Sequence, residues 1–344
     1  MSSRGKSVRA RVLGQPIEVS LFAASDSKLN SSLQPTPKPM IFNSFYCWSI
    51  RLSFSTFAVL LAGVFLGTAV DSSIASTITK SDQGQTRIAK TRVVLSYIKD
   101  PENELLKSFD IQITRNDQTL GRLPLPVEQL PGSFYTQADL RAISADVKVI
   151  DLDGDGEAEV VVDLALAGAY CCSASFIYGY TPSGHYQALT QFWGNYTSGY
   201  WIAGLTGKEG DRLLSDRNGD GNLEFTSLDD RFRGEFGAYA TSAAPVRILR
   251  YQSGKLVDVT KEFPQEIRRS ATATWRQYQQ IRQEFSVESA QGAMAAYVGA
   301  KILLGEEADA MQRLNQAYPG SRGEAFKKKL RVFLQQTGYL KSGS

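Results

Sequence analysis

The chain runs to 344 residues and carries 38 Lys plus Arg against 35 Asp plus Glu, with one His and three Cys. So few soft donors argue against a zinc-type centre, which takes three or four Cys or His ligands at one place. The formal charge of +3 lies in residues 1–75, which hold 7 basic and 3 acidic side chains and leave 31 against 32 beyond, so no electrostatic case for nucleic acid survives.

Residues 1–39 are rich in Ser, Arg, Lys and Pro, end in Gln34-Pro35-Thr36-Pro37-Lys38-Pro39, and show no sustained apolar period. A disordered tail is expected there, and Met40 opens a more ordinary start. The run Phe54 to Val70 is apolar, follows Arg51, and precedes the small residues Ser73-Ile74-Ala75. Residues 40–75 therefore read as a signal peptide, leaving a mature N-terminus at Ser76. The alternative is an uncleaved membrane anchor, because the run lies at the lower limit of the ~17–25 residues that span a bilayer. Either way the remainder is exported, to the periplasm or beyond. Membrane contact is expected only through that segment.

Residues 76–262 read as a β-rich domain, and the mature chain is long enough for a sizeable core. Val93 to Tyr97 and Phe109 to Ile113 are early strands. Ser175 to Tyr180 and His185 to Phe192 form a hairpin around Thr181-Pro182-Ser183-Gly184, and Val246 to Tyr251 pairs with Leu256 to Val259 around Ser253-Gly254. Successive hairpins without long crossovers predict antiparallel pairing. Residues 263–344 switch to helical period: Ile267, Ala271, Trp275 and Tyr278 recur on one face, and further helices follow near 287–303 and 305–317. Pro319-Gly320 stops the third helix, and Ser321 with Glu324 predicts a capping box for a fourth, ended by Gly338. The helices are either a separate partner-binding module or a cover on one face of the sheet.

Two acidic loops repeat one pattern. Asp151, Asp153, Asp155 and Glu159 place oxygen side chains at positions 1, 3, 5 and 9, with Gly156 at position 6; Asp216, Asn218, Asp220 and Glu224 do so around Gly221. A hard cation that takes six to eight oxygens is wrapped by acids on alternate residues, with glycine at the sharpest turn. The main-chain carbonyls of Glu157 and Asn222 complete the two ligand sets at position 7. The bidentate Glu of an EF-hand at position 12 is replaced by Val162 and Ser227. Short β-branched flanks place each loop in a hairpin rather than between helices. Calcium is the expected ion.

The loops and their strands, residues 145–235, resemble the FG-GAP and VCBS repeat families, the integrin-α-like calcium hairpins that run Asp-x-Asp/Asn-x-Asp-Gly-x-x-Asp. Here Glu159 and Glu224 stand at the final Asp. Two units fall short of a complete propeller, so the implied fold is α+β: a mainly antiparallel β domain with two calcium hairpins, then helices. Gly168-Ala169-Tyr170-Cys171-Cys172 and Asp229-Asp230-Arg231-Phe232 look like an exported bacterial VCBS-type group, in which a histidine is expected at Tyr170.

Cys171 and Cys172 are open to three readings: a vicinal disulfide, two buried thiols, or a bridge between molecules. The cluster Trp193, Tyr196, Tyr200 and Trp201 either stacks on a sugar ring or fills the core between hairpins. His185 follows a Gly turn and reads as a surface aromatic. No nucleophile elbow, phosphate loop or dinucleotide fingerprint occurs. The expected function is a calcium-stabilised binding or interaction module at the cell envelope, with an envelope glycan or protein as partner. The alternative is a calcium-dependent, glycoside-acting hydrolase drawing on Glu209, Asp229, Asp230 or Glu235.

Overall fold

Residues 8–12, 15–19, 74–82, 88–131, 139–167, 172–194 and 214–341 are described by the computed structural model. They fall in two units, residues 1–66 and 67–344. The first contributes strands β1 (Val8–Val12) and β2 (Gln15–Val19), antiparallel in the register Val8↔Val19 and Ala10↔Ile17. Val8, Ala10 and Val12 against Ile17 and Val19 have the sequence alternation a hairpin needs. The apolar run 54–70 lies outside the described residues. Among those described, no helix is long and apolar enough to cross a membrane.

In the second unit the strands are β3 (Ile74–Ser81), β4 (Thr91–Lys99), β5 (Leu106–Arg115), β6 (Gln118–Leu123), β7 (Ala142–Ile150), β8 (Glu159–Leu166), β9 (Ser173–Tyr180) and β10 (Tyr186–Gly194). They form one antiparallel sheet in the order β10-β9-β8-β7-β5-β4-β3, with β6 paired to β5. Strand β3 begins at Ile74, so a boundary at 75/76 falls inside it. A smaller sheet has the order β11 (Leu214–Ser215), β12 (Glu224–Leu228), β13 (Val246–Gln252) and β14 (Lys255–Asp258). Helices α1 (Pro264–Glu284), α2 (Gln291–Leu303), α3 (Glu307–Ala317) and α4 (Gly320–Gln336) follow. The protein is α+β and mainly antiparallel, and its sheets close into neither barrel nor propeller.

Period-2 alternation stacks the layers. On β8, Val160, Val162 and Leu164 enter the core of the large sheet with Phe176 and Tyr178, whereas Val161 and Ile177 turn to the other face. There they meet Phe225, Leu249 and Tyr251 of the small sheet, with Leu152 and Trp193. The small sheet divides likewise, Leu249 and Tyr251 facing the large sheet while Val246 and Ile248 pack with the helices. It is thus a filling between two layers. A boundary at 262/263 passes through the core that the small sheet and the helices share.

Helix α2 is buried all along Gly292 to Ala300, as a central helix must be, and its small side chains admit close neighbours. A Cβ at Gly299 would stand 3.0 Å from the Phe232 ring, itself wedged edge-on between Phe333 and Tyr339. Ile267, Ala271 and Tyr278 are buried on α1 as their spacing predicts, with Trp275 packed beside them. The capping box is not formed. Helix α4 already starts at Gly320, so Ser321 lies inside its first turn, exposed, and no side chain caps the end. Pro319-Gly320 both stops one helix and starts the next. Ser321→Ala is accordingly expected to change stability by less than about 0.5 kcal/mol, where loss of a working cap would cost about 1 kcal/mol. Urea denaturation midpoints check this.

Candidate metal centre

Both acidic loops close hairpins as expected, the first joining β7 to β8 and the second β11 to β12. They share four main-chain-to-carboxylate hydrogen bonds, donated by positions 2, 4, 6 and 7. Gly154 N and Gly156 N donate to the two carboxylate oxygens of Asp151 at 2.8 and 2.9 Å, and Gly219 N and Gly221 N donate to those of Asp216 at 2.7 and 3.0 Å. Position 7 donates its N–H to position 5 in both, Glu157 to Asp155 at 2.7 Å and Asn222 to Asp220 at 2.8 Å. The final Glu accepts from position 2, Glu159 from Leu152 at 2.9 Å and Glu224 from Arg217 at 3.1 Å. Gly156 and Gly221 hold φ of 94° and 89°, the left-handed region that other residues enter only at a cost.

Charge separates the two copies. In the first, Asp151, Asp153 and Glu159 each offer a carboxylate oxygen within 4.8 Å of the others, and Glu159 is only 3% exposed. Burial, with the neighbouring charges of Asp153, Asp155 and Asp151, pushes the Glu159 carboxyl up to about 8 against the pull of the Leu152 N–H. Burial and the same neighbours raise Asp155. Asp153 Oδ1 is buried with no hydrogen-bond partner among the described residues. Each carboxylate oxygen has two lone pairs, so one that accepts an N–H can still face an ion. The side chain of Glu157 is held through Oε2 by Arg115 at 2.5 Å, while its Oε1 is buried without a hydrogen-bond partner among the described residues. A hard divalent cation therefore fits this loop.

In the second copy the counter-charge is already present. Arg250 lies directly across the ladder from Glu224 and reaches its Oε1 through Nη2 at 2.7 Å and Nε at 2.9 Å. Glu224 is fully buried, and Asp220 Oδ2 stands 3.9 Å from the same guanidinium. Asp220 is lowered from its usual value, first by the Asn222 N–H and then by the Asn218 amide, with Arg250 adding to both. Among the described residues, only the first loop brings three carboxylates within 4.8 Å of one another; in the second, Asp216, Asp220 and Glu224 do not converge so, and an arginine shares the site.

The first loop also touches the small sheet. Ser253 N, at the β13–β14 turn, donates to Asp153 Oδ2 at 2.9 Å. Arg250, Ser253 and Arg115 are absent from the sequence reading because nothing in loop spacing points to residues 26 to 100 positions away. One signal was available for Arg250: a charged residue set within the apolar strand Val246-Arg247-Ile248-Leu249-Arg250-Tyr251 demands a partner.

The other candidates are dispersed. Trp193 is 3% exposed, stacks on Phe225 at 5.5 Å and donates Nε1 to Ser175 Oγ at 2.7 Å, so it fills the core instead of facing a sugar. Tyr196, Tyr200, Trp201, Glu209 and Cys171 lie outside the described residues. Cys172 is buried and disulfide-bonded. His185 is exposed, in hydrogen-bond reach of Thr181 and Ser183. Asp229 is 1% exposed and bound by Arg231 at 2.5 Å and the Tyr339 hydroxyl at 3.0 Å, an internal brace to the segment that follows α4. Glu235 pairs with Lys329 at 2.9 Å. Asp229 and Asp230 line one cleft together with Trp193, Arg231 and Arg247, and Asp229 is already engaged there by Arg231.

No protein-family model matches the chain, and no solved structure does. It is 29% identical over 175 residues to a protein of Synechocystis sp. named a "probable thylakoid lumen protein", a match covering 50% of this chain and 48% of that one. It is 28% identical over 182 residues to an uncharacterised protein of Sinorhizobium fredii, covering 52% and 26% respectively. The chain thus spans about half the length of the first relative and about a quarter of the second.

Proposed function

We propose that the first loop binds calcium and that the protein works outside the cytoplasm as a calcium-stabilised binding or interaction module, of the FG-GAP or VCBS hairpin kind. One observation carries the metal reading: Asp151, Asp153 and Glu159 converge within 4.8 Å, the last of them buried, and no lysine or arginine among the described residues is paired with any of the three. Like charges held together in a partly buried loop are unfavourable until a cation joins them. The all-oxygen donor set, carboxylates with a main-chain carbonyl on a flexible loop, suits calcium.

Two facts support the compartment. A relative carries the name of a thylakoid lumen protein, and a lumen lies outside the cytoplasm. A disulfide at Cys172 suits oxidising surroundings. A glycan or protein of the envelope is the partner class such a module would meet. Calorimetric titration of the full chain with calcium tests the metal reading: saturable binding that Asp153→Ala abolishes is expected, and no binding by the unmutated chain overturns it.

A further inference from the structure

We propose that the second loop carries its own cation, the Arg250 guanidinium, so that the protein takes one divalent ion instead of two. The two loops share every main-chain contact described above, which makes each the control for the other. They part at the strand beside the final glutamate. In the second, Arg250 is the cross-strand partner of Glu224. In the first, the ladder between β8 and β9 runs Val160↔Tyr178 at that end, and the next residue on β9 is Gly179. A Cβ built on Gly179 would lie 3.8 Å from Glu159 Oε1 and 2.1 Å from the Tyr251 hydroxyl. Where one copy has a guanidinium, the other has a glycine and a phenol.

The guanidinium satisfies what an ion would satisfy. Nε and Nη2 converge on one oxygen of a glutamate that water cannot reach, Nη2 also stands near Asp220, and Nη1 reaches out to Glu262 at 3.0 Å. A planar, permanently charged fork is suited to that task, since it cannot discharge by losing its proton. Glu262 lies just before α1, so the arginine joins the second loop to the entry of the helices. This junction is closed whether or not metal is present. With Arg250 replaced by a neutral residue, the Glu224 carboxylate would be buried without its counter-charge, in a loop that also carries Asp216 and Asp220.

The inference rests on the calcium reading of the first loop for its count of one, and the arms keep the two apart. Calcium is titrated by calorimetry into the full chain, Arg250→Gln, Arg250→Lys and Glu159→Gln. One ion is expected for the unmutated chain and for Arg250→Lys, two for Arg250→Gln, and none for Glu159→Gln. In the double variant Glu159→Gln with Arg250→Gln, one ion should return. Two ions in the unmutated chain, or no ion gained by a folded Arg250→Gln, overturns the inference and leaves the first site standing. No ion in the unmutated chain with one gained in Arg250→Gln overturns the calcium reading of the first loop and upholds the arginine. If Arg250→Gln does not fold, amide hydrogen exchange of the unmutated chain decides: protection at 216–224 unchanged by chelator supports the built-in cation, and its loss overturns it.

Discussion

Calcium added to the metal-stripped chain is expected to raise its melting temperature by about 5–10 °C, and Asp153→Ala is expected to abolish the rise. An ion that binds only the folded state stabilises it by ~2.7 kcal/mol at a hundredfold excess over its dissociation constant, and a chain of this size gains about 2–4 °C per kcal/mol. Asp153 is chosen because its Oδ1 is a buried oxygen without a partner among the described residues and its Oδ2 accepts from Ser253 of the small sheet. Asp220→Ala, in the loop that Arg250 closes, should leave the rise intact. Differential scanning calorimetry in calcium and in chelator measures all three, and superimposable curves for the unmutated chain would defeat the metal reading.

Trp193→Ala is expected to cost about 3–5 kcal/mol, the range for deleting a large aromatic from a packed core. The indole lies between the two sheets among Val161, Ile177, Phe225 and Leu249, so its removal empties the layer that holds them together. Its N–H is also the start of a polar chain across the large sheet: Trp193 donates to Ser175, Ser175 to Asp163, and Asp163 pairs with Lys148 at 2.5 Å. Trp193→Phe keeps most of the packing and drops that hydrogen bond, for which about 1–2 kcal/mol is expected. Urea unfolding of both variants separates the contributions. A Trp193→Ala protein as stable as the parent would show that this side chain does not hold the sheets together and would reopen a ligand-stacking role.

The local grammar of the chain was legible. Alternation in Val147 to Ile150 and Val160 to Leu164 announced the hairpin around the first loop, and the repeat of glycine and oxygen positions announced the second. Helix α1 was visible because Ile267, Ala271 and Tyr278 fall on one buried face. Contacts between layers were not legible. Whether Trp193 faced solvent or core depended on where a second sheet would lie, and pattern along one strand is silent on that. Nor did spacing show that one of the two final glutamates has an arginine partner, since Arg250 meets Glu224 only through the pairing of β12 with β13. The capping box failed for a different reason: Pro319-Gly320 and Ser321-x-x-Glu324 are competing start signals one residue apart, and the first prevailed.

The hydrogen bond from Ser253 to Asp153 joins residues one hundred positions apart. A chain leaving a ribosome or a translocation channel from its N-terminus can turn the first acidic loop as soon as β8 has emerged, yet it cannot seat Asp153 until β13 and its turn arrive. Pairing over that separation is among the slower steps of assembly. On the proposed calcium reading, tight capture of the ion belongs to the end of folding, and a nascent chain halted before residue 253 is expected to hold it more weakly than the finished protein.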